Sequence, residues 1–429
     1  MRKQVNIGIN TKSLYFNHSL DSHIAFYNSN AEDASSLLAI GCINELVQET
    51  SGALDQLAQF HQKHRDWCFG FLSYDLKNEV EDLSSKLTQT IPFPLLHFFV
   101  PRYVIEIFEN HVVVHYLPEH NTSEDARKLI DELFVANFHA KKRKLLTNVA
   151  VRPRQSLHEY LYSVGEIKKH IQGGDIYEVN YCQEFFARDV RLNPEDIYWR
   201  LNDLTRAPFS AFYKFDNQFA LSGSPERFLK KQGGKLLSQP IKGTIKRGNT
   251  VQEDEQLKER LRSDPKEQSE NVMIVDLVRN DLARIAEKGS VTVDELCGVY
   301  TFETVHQLIS TVSCQVSPNS FVNDILKATF PMGSMTGAPK IRAMQLIEQY
   351  EASRRGLYSG SIGYIAPNGD FDFNVVIRTL LYHQELELLS FHVGSAITSM
   401  SDPAKEYEEC MLKARALIQA IGDLALADI

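Results

Sequence analysis

Residues 359–397 (SGSIGYIAPNGDFDFNVVIRTLLYHQELELLSFHVGSAI) carry three or four β-rich runs in succession, separated by a Pro-Asn-Gly turn and short polar joints. Joints this short allow only antiparallel pairing, because a parallel pair needs a crossover of about a dozen residues. The signature returns at 103–117 around Glu109-Asn110, at 210–224 around Asp216-Asn217 and at 227–240 around Gly233-Gly234. A shorter strand-like piece, WCFGFLSYDL, spans 67–76. Helical spacing is confined to other blocks, such as 158–175, which ends on Gly173-Gly174. Strands and helices in blocks predict an α+β fold with antiparallel sheets, not a doubly wound one.

The chain has 429 residues, room for more than one domain. A polar, helical and then basic stretch is the expected linker (126–155), between an N-terminal subdomain (1–125) and a larger domain (156–429). The net charge of −9 argues against nucleic-acid binding, which relies on neutralising phosphates. The basic run 141–144 (KKRK) reads as a solvated linker. Six cysteines at wide, irregular gaps argue against a zinc site and against a disulfide framework. The stretch MRKQVNIGIN has no apolar core of the kind a signal peptide carries, and the most apolar stretch, 91–108, is broken by Pro92, Pro94, Pro101 and Arg102. No membrane association and a cytoplasmic, reducing location are expected.

Ser-Asp-Pro occurs at 263–265 and at 401–403, each time ahead of a helical pattern. Asp is a good N-cap and Pro a good first helical residue. Glu267 and Glu270 then share one helix face, as do Glu406 and Glu409. First-turn acids are favoured by the helix dipole alone. They also suit Mg²⁺, which takes one or two carboxylates and completes its shell with water and substrate oxygens. Spacing leaves open whether the two helices meet.

SPERF (224–228) and SQPIKGT (238–244) flank the Gly233-Gly234 turn, so Glu226 and Lys242 are expected to face each other at its open end. Such a pair is either a surface ion pair or a general acid beside a nucleophile. A nucleophilic lysine must be neutral, which requires a lowered pKa.

SPERF, PIKGT, ENVMIVDLVRNDLARIA (270–286), VHQLIS (305–310), GSMTGAPKIRAMQLIE (333–348), SGSIGYI (359–365), VIRTL (376–380) and YEECMLKA (407–414) occur in this order. Together they resemble the chorismate-utilising enzymes: anthranilate synthase component I, aminodeoxychorismate synthase component I, isochorismate synthase and salicylate synthase. The likeness is dense from about 156 to 420, and FGFLSYDL (69–76) fits the N-terminal part of the first two.

The resemblance implies two large antiparallel sheets in a sandwich flanked by helices. It implies Glu270 and Glu409 as Mg²⁺ ligands, with Glu267 and Glu406 beside the metal. It places Tyr364 and Arg378 on the enolpyruvyl carboxylate of chorismate, and makes Lys413, Thr244, Ser334 and the Gly394-Ser395 turn further substrate contacts. His306 matches the active-site histidine, and Glu226 the acid that protonates the departing ring hydroxyl. Two positions depart from the pattern. The usual glycine-rich turn reads Val393-Gly394-Ser395-Ala396, and Glu178 stands where water-using members have lysine and ammonia-using members generally have glutamine.

Pro-Ile-Lys-Gly-Thr is the form of the motif in aminodeoxychorismate synthases; anthranilate synthases have Ala in place of Lys. The Lys242 amine would add at ring carbon two, and ammonia would then attack carbon four and expel it. The expected activity is therefore conversion of chorismate and ammonia to 4-amino-4-deoxychorismate, for 4-aminobenzoate and folate synthesis. Ammonia is expected from a separate glutamine amidotransferase subunit, since no glutaminase cysteine motif is present. No fused pyridoxal-phosphate lyase is expected after Lys413. Anthranilate synthase component I is the second reading, and a non-catalytic regulatory paralogue the third.

Overall fold

The computed structural model describes residues 1–11, 18–30, 35–134, 149–318 and 320–422. The basic run 141–144 and much of the expected linker lie outside the described residues, although 126–133 belong to the helix Ser123–Leu133.

Among the described residues the strands join in one hydrogen-bonded network of 20, and every pairing is antiparallel. The α+β class is as expected, with the strands connected throughout rather than split into separate sheets. The run 359–397 forms four strands: Ser361–Ile365, Phe371–Asn374, Thr379–His383 and Leu388–Ile397. The hairpin at 103–117 joins Leu96–Ile107 to His111–Tyr116. Asp216 and Gly233 take left-handed backbone (φ 50° and 59°) at two of the other turns, as Asx and Gly residues readily do.

N-terminal strands are woven into the rest of the sheet. His23–Asn28 pairs with Phe209–Phe215, and Cys68–Leu72 with Ser361–Ile365. At the second of these seams Gly70 lies opposite Gly363. A Cβ on Gly70 would come within 2.2 Å of the His97 carbonyl, and one on Gly363 within 2.2 Å of the Asp372 carbonyl. Both glycines are thus required by close approach, and Phe98 and Phe373, with ring centres 6.2 Å apart, fill the space they leave.

Three apolar cores follow. One lies under the helices Leu157–Gln172, Pro194–Thr205 and Pro403–Ile421; a second lies under Ala53–His64, Pro265–Ala283 and Val322–Thr329. The third, including Phe69, Phe71, Phe99, Tyr213, Ile362 and Leu381, is built from strand residues and connecting loops. No helix among the described residues is long and apolar enough to cross a membrane.

Gly70→Ala should destabilise the chain by about 2 kcal/mol or more through overpacking at a backbone contact. Urea unfolding would show this as a lower midpoint at unchanged slope; an unaltered midpoint would mean the seam can open at no cost.

Candidate active site

Lys242 lies on the strand Ile241–Lys246 with its side chain mostly buried. Its Nζ donates to Glu178 Oε1 at 2.8 Å. Burial opposes the ammonium, but Glu178, Glu270 and Glu226 outweigh it and hold Lys242 above the ordinary lysine range. The lowered pKa expected of a waiting nucleophile is therefore not found; three acids face Lys242, and each favours its charged form.

Glu178 begins the strand Glu178–Ala187 and is 1% exposed, with Oε2 lacking a hydrogen-bond partner. That strand is pinned from beneath. The buried Arg355 guanidinium donates to Glu351 (2.6 and 3.0 Å), to the Met335 carbonyl and to the Asn180 carbonyl (both 2.7 Å), while Glu351 accepts from the Cys182 amide at 2.9 Å. Gly337 crosses Val179 so closely that a Cβ would meet the Glu178 carbonyl at 2.2 Å.

Glu226 is buried, and burial pushes its carboxyl up to about 7, against the pull of Ser334, Lys242, the Ile241 amide and Arg378. Its expected cross-strand position shifts. The register that pairs Gln232 with Lys235 and Lys230 with Leu237, if continued, would set Glu226 opposite Ile241. An irregularity between Arg227 and Lys230 pairs Arg227 with Gln239 instead, and Lys242 belongs to the next strand, Ile241–Lys246, which pairs with Val305–Gln315. The two remain electrostatic neighbours. Ser334 sits in the turn Gly333–Met335, and a cavity of about 20 Å³, room for one water, lies between Glu226, Ser334 and Asp281.

Sequence spacing left open whether the two acidic helix starts meet; the structure brings them together. Asp264 caps Pro265–Ala283 by accepting from the Lys266 and Glu267 amides, and Asp402 caps Pro403–Ile421 through Ala404 and Lys405. The capping box at Asp264 is half made, because the Glu267 side chain turns toward Gly243 instead. Lys266 Nζ stands 3.7 Å from Glu270 Oε1 and 3.9 Å from Glu406 Oε1. Glu270, Glu406, Glu409 and Glu267 together hold Lys266 above its usual range despite burial.

Burial pushes Glu270 up to about 7, with Glu178 and Glu267 adding to the effect and Lys242 and Lys266 opposing it. Burial also raises Glu267. At Glu409 burial is outweighed by the Lys413 ammonium, 2.7 Å away, and the carboxyl is lowered. Glu270 Oε1 is buried without a hydrogen bond. Glu270 and Glu406 bring hard oxygen donors from two helices to one ammonium, with Glu270 Oε1 unsatisfied. Among the described residues no three of these glutamates bring an oxygen each within 4.8 Å of one another, but donors of this kind suit a divalent cation of the Mg²⁺ type, which takes one or two carboxylates and fills its shell with water.

Lys413 also donates to the Gly394 carbonyl at 2.8 Å. Gly394 is required where it stands, since a Cβ would lie 2.4 Å from Cys182 Sγ. The Ser395 side chain faces the interior, beside Tyr160 and Cys410. Arg378 occupies the bend between Phe371–Asn374 and Thr379–His383 at φ 50°; burial lowers its pKa, and Glu226 opposes that.

Three expected residues stand apart. Tyr364 stacks among Tyr27, Trp67 and Phe69, and its charged neighbours (Asp372, Arg227, Glu106, Asp370) do not include Lys242 or Glu226. His306, fully buried, bonds Asp254 Oδ1 at 2.8 Å and Thr301 Oγ1 at 3.0 Å, and Arg247 clamps Asp254 from the other side. Thr244 is exposed and accepts from Gln307 at 3.3 Å. Lys266 was passed over in the sequence, although it lies within the first Ser-Asp-Pro helix start.

The profile of the chorismate binding enzymes matches residues 23–419. The chloroplastic aminodeoxychorismate synthase of Arabidopsis thaliana is 34% identical over 417 residues, covering 93% of this chain and 45% of that protein. Aminodeoxychorismate synthase component 1 of Klebsiella aerogenes is 40% identical over 272 residues, 63% of this chain and 60% of that one. The crystal structure of anthranilate synthase component I from Streptococcus pneumoniae superposes with a TM-score of 0.78 at 28% identity, over 90% of this chain and 92% of that one. The chain belongs to the chorismate-binding enzyme family. It spans about half the length of the two curated relatives.

A carboxyl whose folded pKa is raised favours the protonated fold, and that advantage is lost as pH rises through the folded value. With Glu226 near 7 against 4.5 unperturbed, wild type should lose up to about 3 kcal/mol relative to Glu226→Gln between pH 4 and pH 8. Urea unfolding without divalent cations would read this difference; parallel profiles would show that folding leaves the Glu226 pKa unshifted.

Proposed function

We propose that this chain converts chorismate and ammonia to 4-amino-4-deoxychorismate, as the ammonia-using component of an aminodeoxychorismate synthase serving 4-aminobenzoate and folate synthesis. The observation that carries this reading is Lys242 in Pro-Ile-Lys-Gly-Thr, its amine buried against Glu178, with Glu226 and Glu270 as electrostatic neighbours. The relatives named aminodeoxychorismate synthase support it.

Lys242 must first lose a proton, and Glu178, 2.8 Å away, is the base in place to take it. The amine then adds at ring carbon two. Glu226, held protonated near neutrality by burial, protonates the hydroxyl leaving carbon four, which departs as water. Ammonia attacks carbon four, the lysine–carbon bond breaks, and Lys242 leaves as the amine while the surplus ammonia proton returns to Glu226. Arg378 is suited to the enolpyruvyl carboxylate. Glu270 and Glu409, with Glu267 and Glu406 beside them, would hold Mg²⁺, whose charge would receive the ring carboxylate. Lys413 flanks that carboxylate region through Glu409 and Gly394.

The component name of the Klebsiella relative supports a separate glutamine amidotransferase as ammonia source. Six free thiols suit a reducing compartment such as the cytoplasm. The strand-built core around Phe69, Tyr213 and Ile362, with helix-covered cores beyond it, supports a folded-over, two-layer sandwich.

Purified chain with chorismate, Mg²⁺ and a high ammonium concentration should yield aminodeoxychorismate by mass spectrometry, and Lys242→Ala should lower its formation at least 100-fold, the scale on which a covalent route is lost. Anthranilate with pyruvate release would instead establish the second reading, which the likeness to the Streptococcus enzyme supports.

Glu270→Gln should raise the Mg²⁺ concentration for half-maximal activity roughly ten-fold or more, by removing an ionised ligand. An unchanged Mg²⁺ dependence would take Glu270 out of the metal's shell.

A further inference from the structure

Outside this site, one cluster brings nitrogen, sulfur and oxygen donors together. His23 Nε2, Cys42 Sγ and a Glu45 carboxylate oxygen all lie within 4.8 Å of one another, the only such group of three among the described residues. His23 Nε2 is 3.1 Å from Glu45 Oε2, and His97 Nε2 is 3.6 Å from the same oxygen. His97 is fully buried, and its Nε2 has no hydrogen-bond partner.

The backbone explains the convergence. The donors come from three adjacent strands, His23–Asn28, Ser36–Gln48 and Leu96–Ile107. Cys42 and Glu45 are three apart and would face opposite sides of a regular strand. A bulge between Cys42 and Asn44 inserts one residue and turns both to one face. This is why cysteine spacing in the sequence argued against a metal: three of the four donors are not cysteines, and one strand is irregular.

The outer contacts are those of ligating imidazoles. His97 Nδ1 is 2.6 Å from Tyr213 Oη, and His23 Nδ1 is 2.8 Å from Ser22 Oγ. In the tautomer where each Nδ1–H donates to that oxygen, each Nε2 lone pair points at Glu45. Phe215 stacks on His97 with ring centres 4.0 Å apart and fixes its plane. Burial pushes the Cys42 thiol up to about 12, with Glu45, Asp21 and Asp216 adding to the effect and Arg102 opposing it, so the thiol keeps its proton until a cation displaces it. The Glu45 side chain is 47% exposed and gives an entry path.

We propose that His23, Cys42, Glu45 and His97 bind one zinc-class divalent cation that clips these three strands together. Two imidazoles, a thiolate and a carboxylate are a tetrahedral zinc ligand set that leaves no position for substrate; His97 lies outside the group of three and would complete the set by closing in from its place 3.6 Å from Glu45, so the role is structural. Binding releases the Cys42 thiol proton to solvent.

The test uses the untagged full chain in excess Mg²⁺, titrated with Co²⁺. One Co²⁺ per chain should bind, with tetrahedral visible bands and a thiolate-to-cobalt charge-transfer band, and Zn²⁺ should displace it. Cys42→Ser should remove the charge-transfer band, and Glu45→Gln, at a half-exposed position, should weaken binding roughly ten-fold or more. No charge-transfer band in wild type, a band surviving Cys42→Ser, or unchanged affinity in Glu45→Gln would each overturn the assignment.

Discussion

A buried ammonium organises the centre of this molecule. Lys242 has left water, and a charge in the interior persists only where opposite charge and hydrogen bonds replace hydration. Glu178, Glu270 and Glu226 provide that replacement, and each comes from a different stretch of chain. The strand Glu178–Ala187, the strand Ile241–Lys246 and the helix Pro265–Ala283 must therefore meet at one point. Lys266 extends the arrangement to Pro403–Ile421 through Glu406. A buried ion pair is weak evidence for stability, but it is a strict condition on register, since moving any one element would strand a charge.

The same crowding sets the chemistry. Acids outnumber ammonium groups near Lys242, so burial can keep Glu226 and Glu270 near neutrality in pKa instead of the usual carboxylate range. A carboxyl that still carries its proton at pH 7 is a competent proton donor, whereas a surface glutamate is not. A divalent cation at the helix starts would displace Lys266 from between Glu270 and Glu406 and stabilise their ionised forms. In the proposed arrangement Glu270 and Glu409 would be committed to the cation, leaving Glu226 as the proton carrier.

Much of this was legible from local rules. Antiparallel hairpins followed from turn residues, and both helix starts from Ser-Asp-Pro, because caps and turns are decided within a few residues. What one helix face offers is also local, hence the paired glutamates. That the two faces meet is not, and only Lys266, adjacent to the first cap, hinted that a counter-charge was needed. The hairpin placed Glu226 near Lys242 but missed the irregular register after Arg227, which no turn residue announces. Asp254 could not have been matched to His306, 52 residues away, from spacing. Tyr364 illustrates the opposite failure: a motif position carried the expectation, while its aromatic neighbours from 27, 67 and 69 determine where the ring goes.

Glu178 was the unexplained departure, and its partner now gives a reason for it. A glutamine there could hydrogen-bond Lys242 but not balance its charge or accept its proton. A lysine there would repel Lys242 at 2.8 Å, a spacing at which like charges inside a protein are strongly unfavourable. An amine meant to attack needs a neighbour that tolerates it charged at rest and takes the proton when substrate arrives. Glutamate would meet both demands, and in the proposed reaction Lys242 and Glu178 would act as one device divided between two strands. On the route proposed above, the raised pKa of Lys242 would describe how the nucleophile is stored, and its attack would depend on a substrate dianion reordering the charges around it.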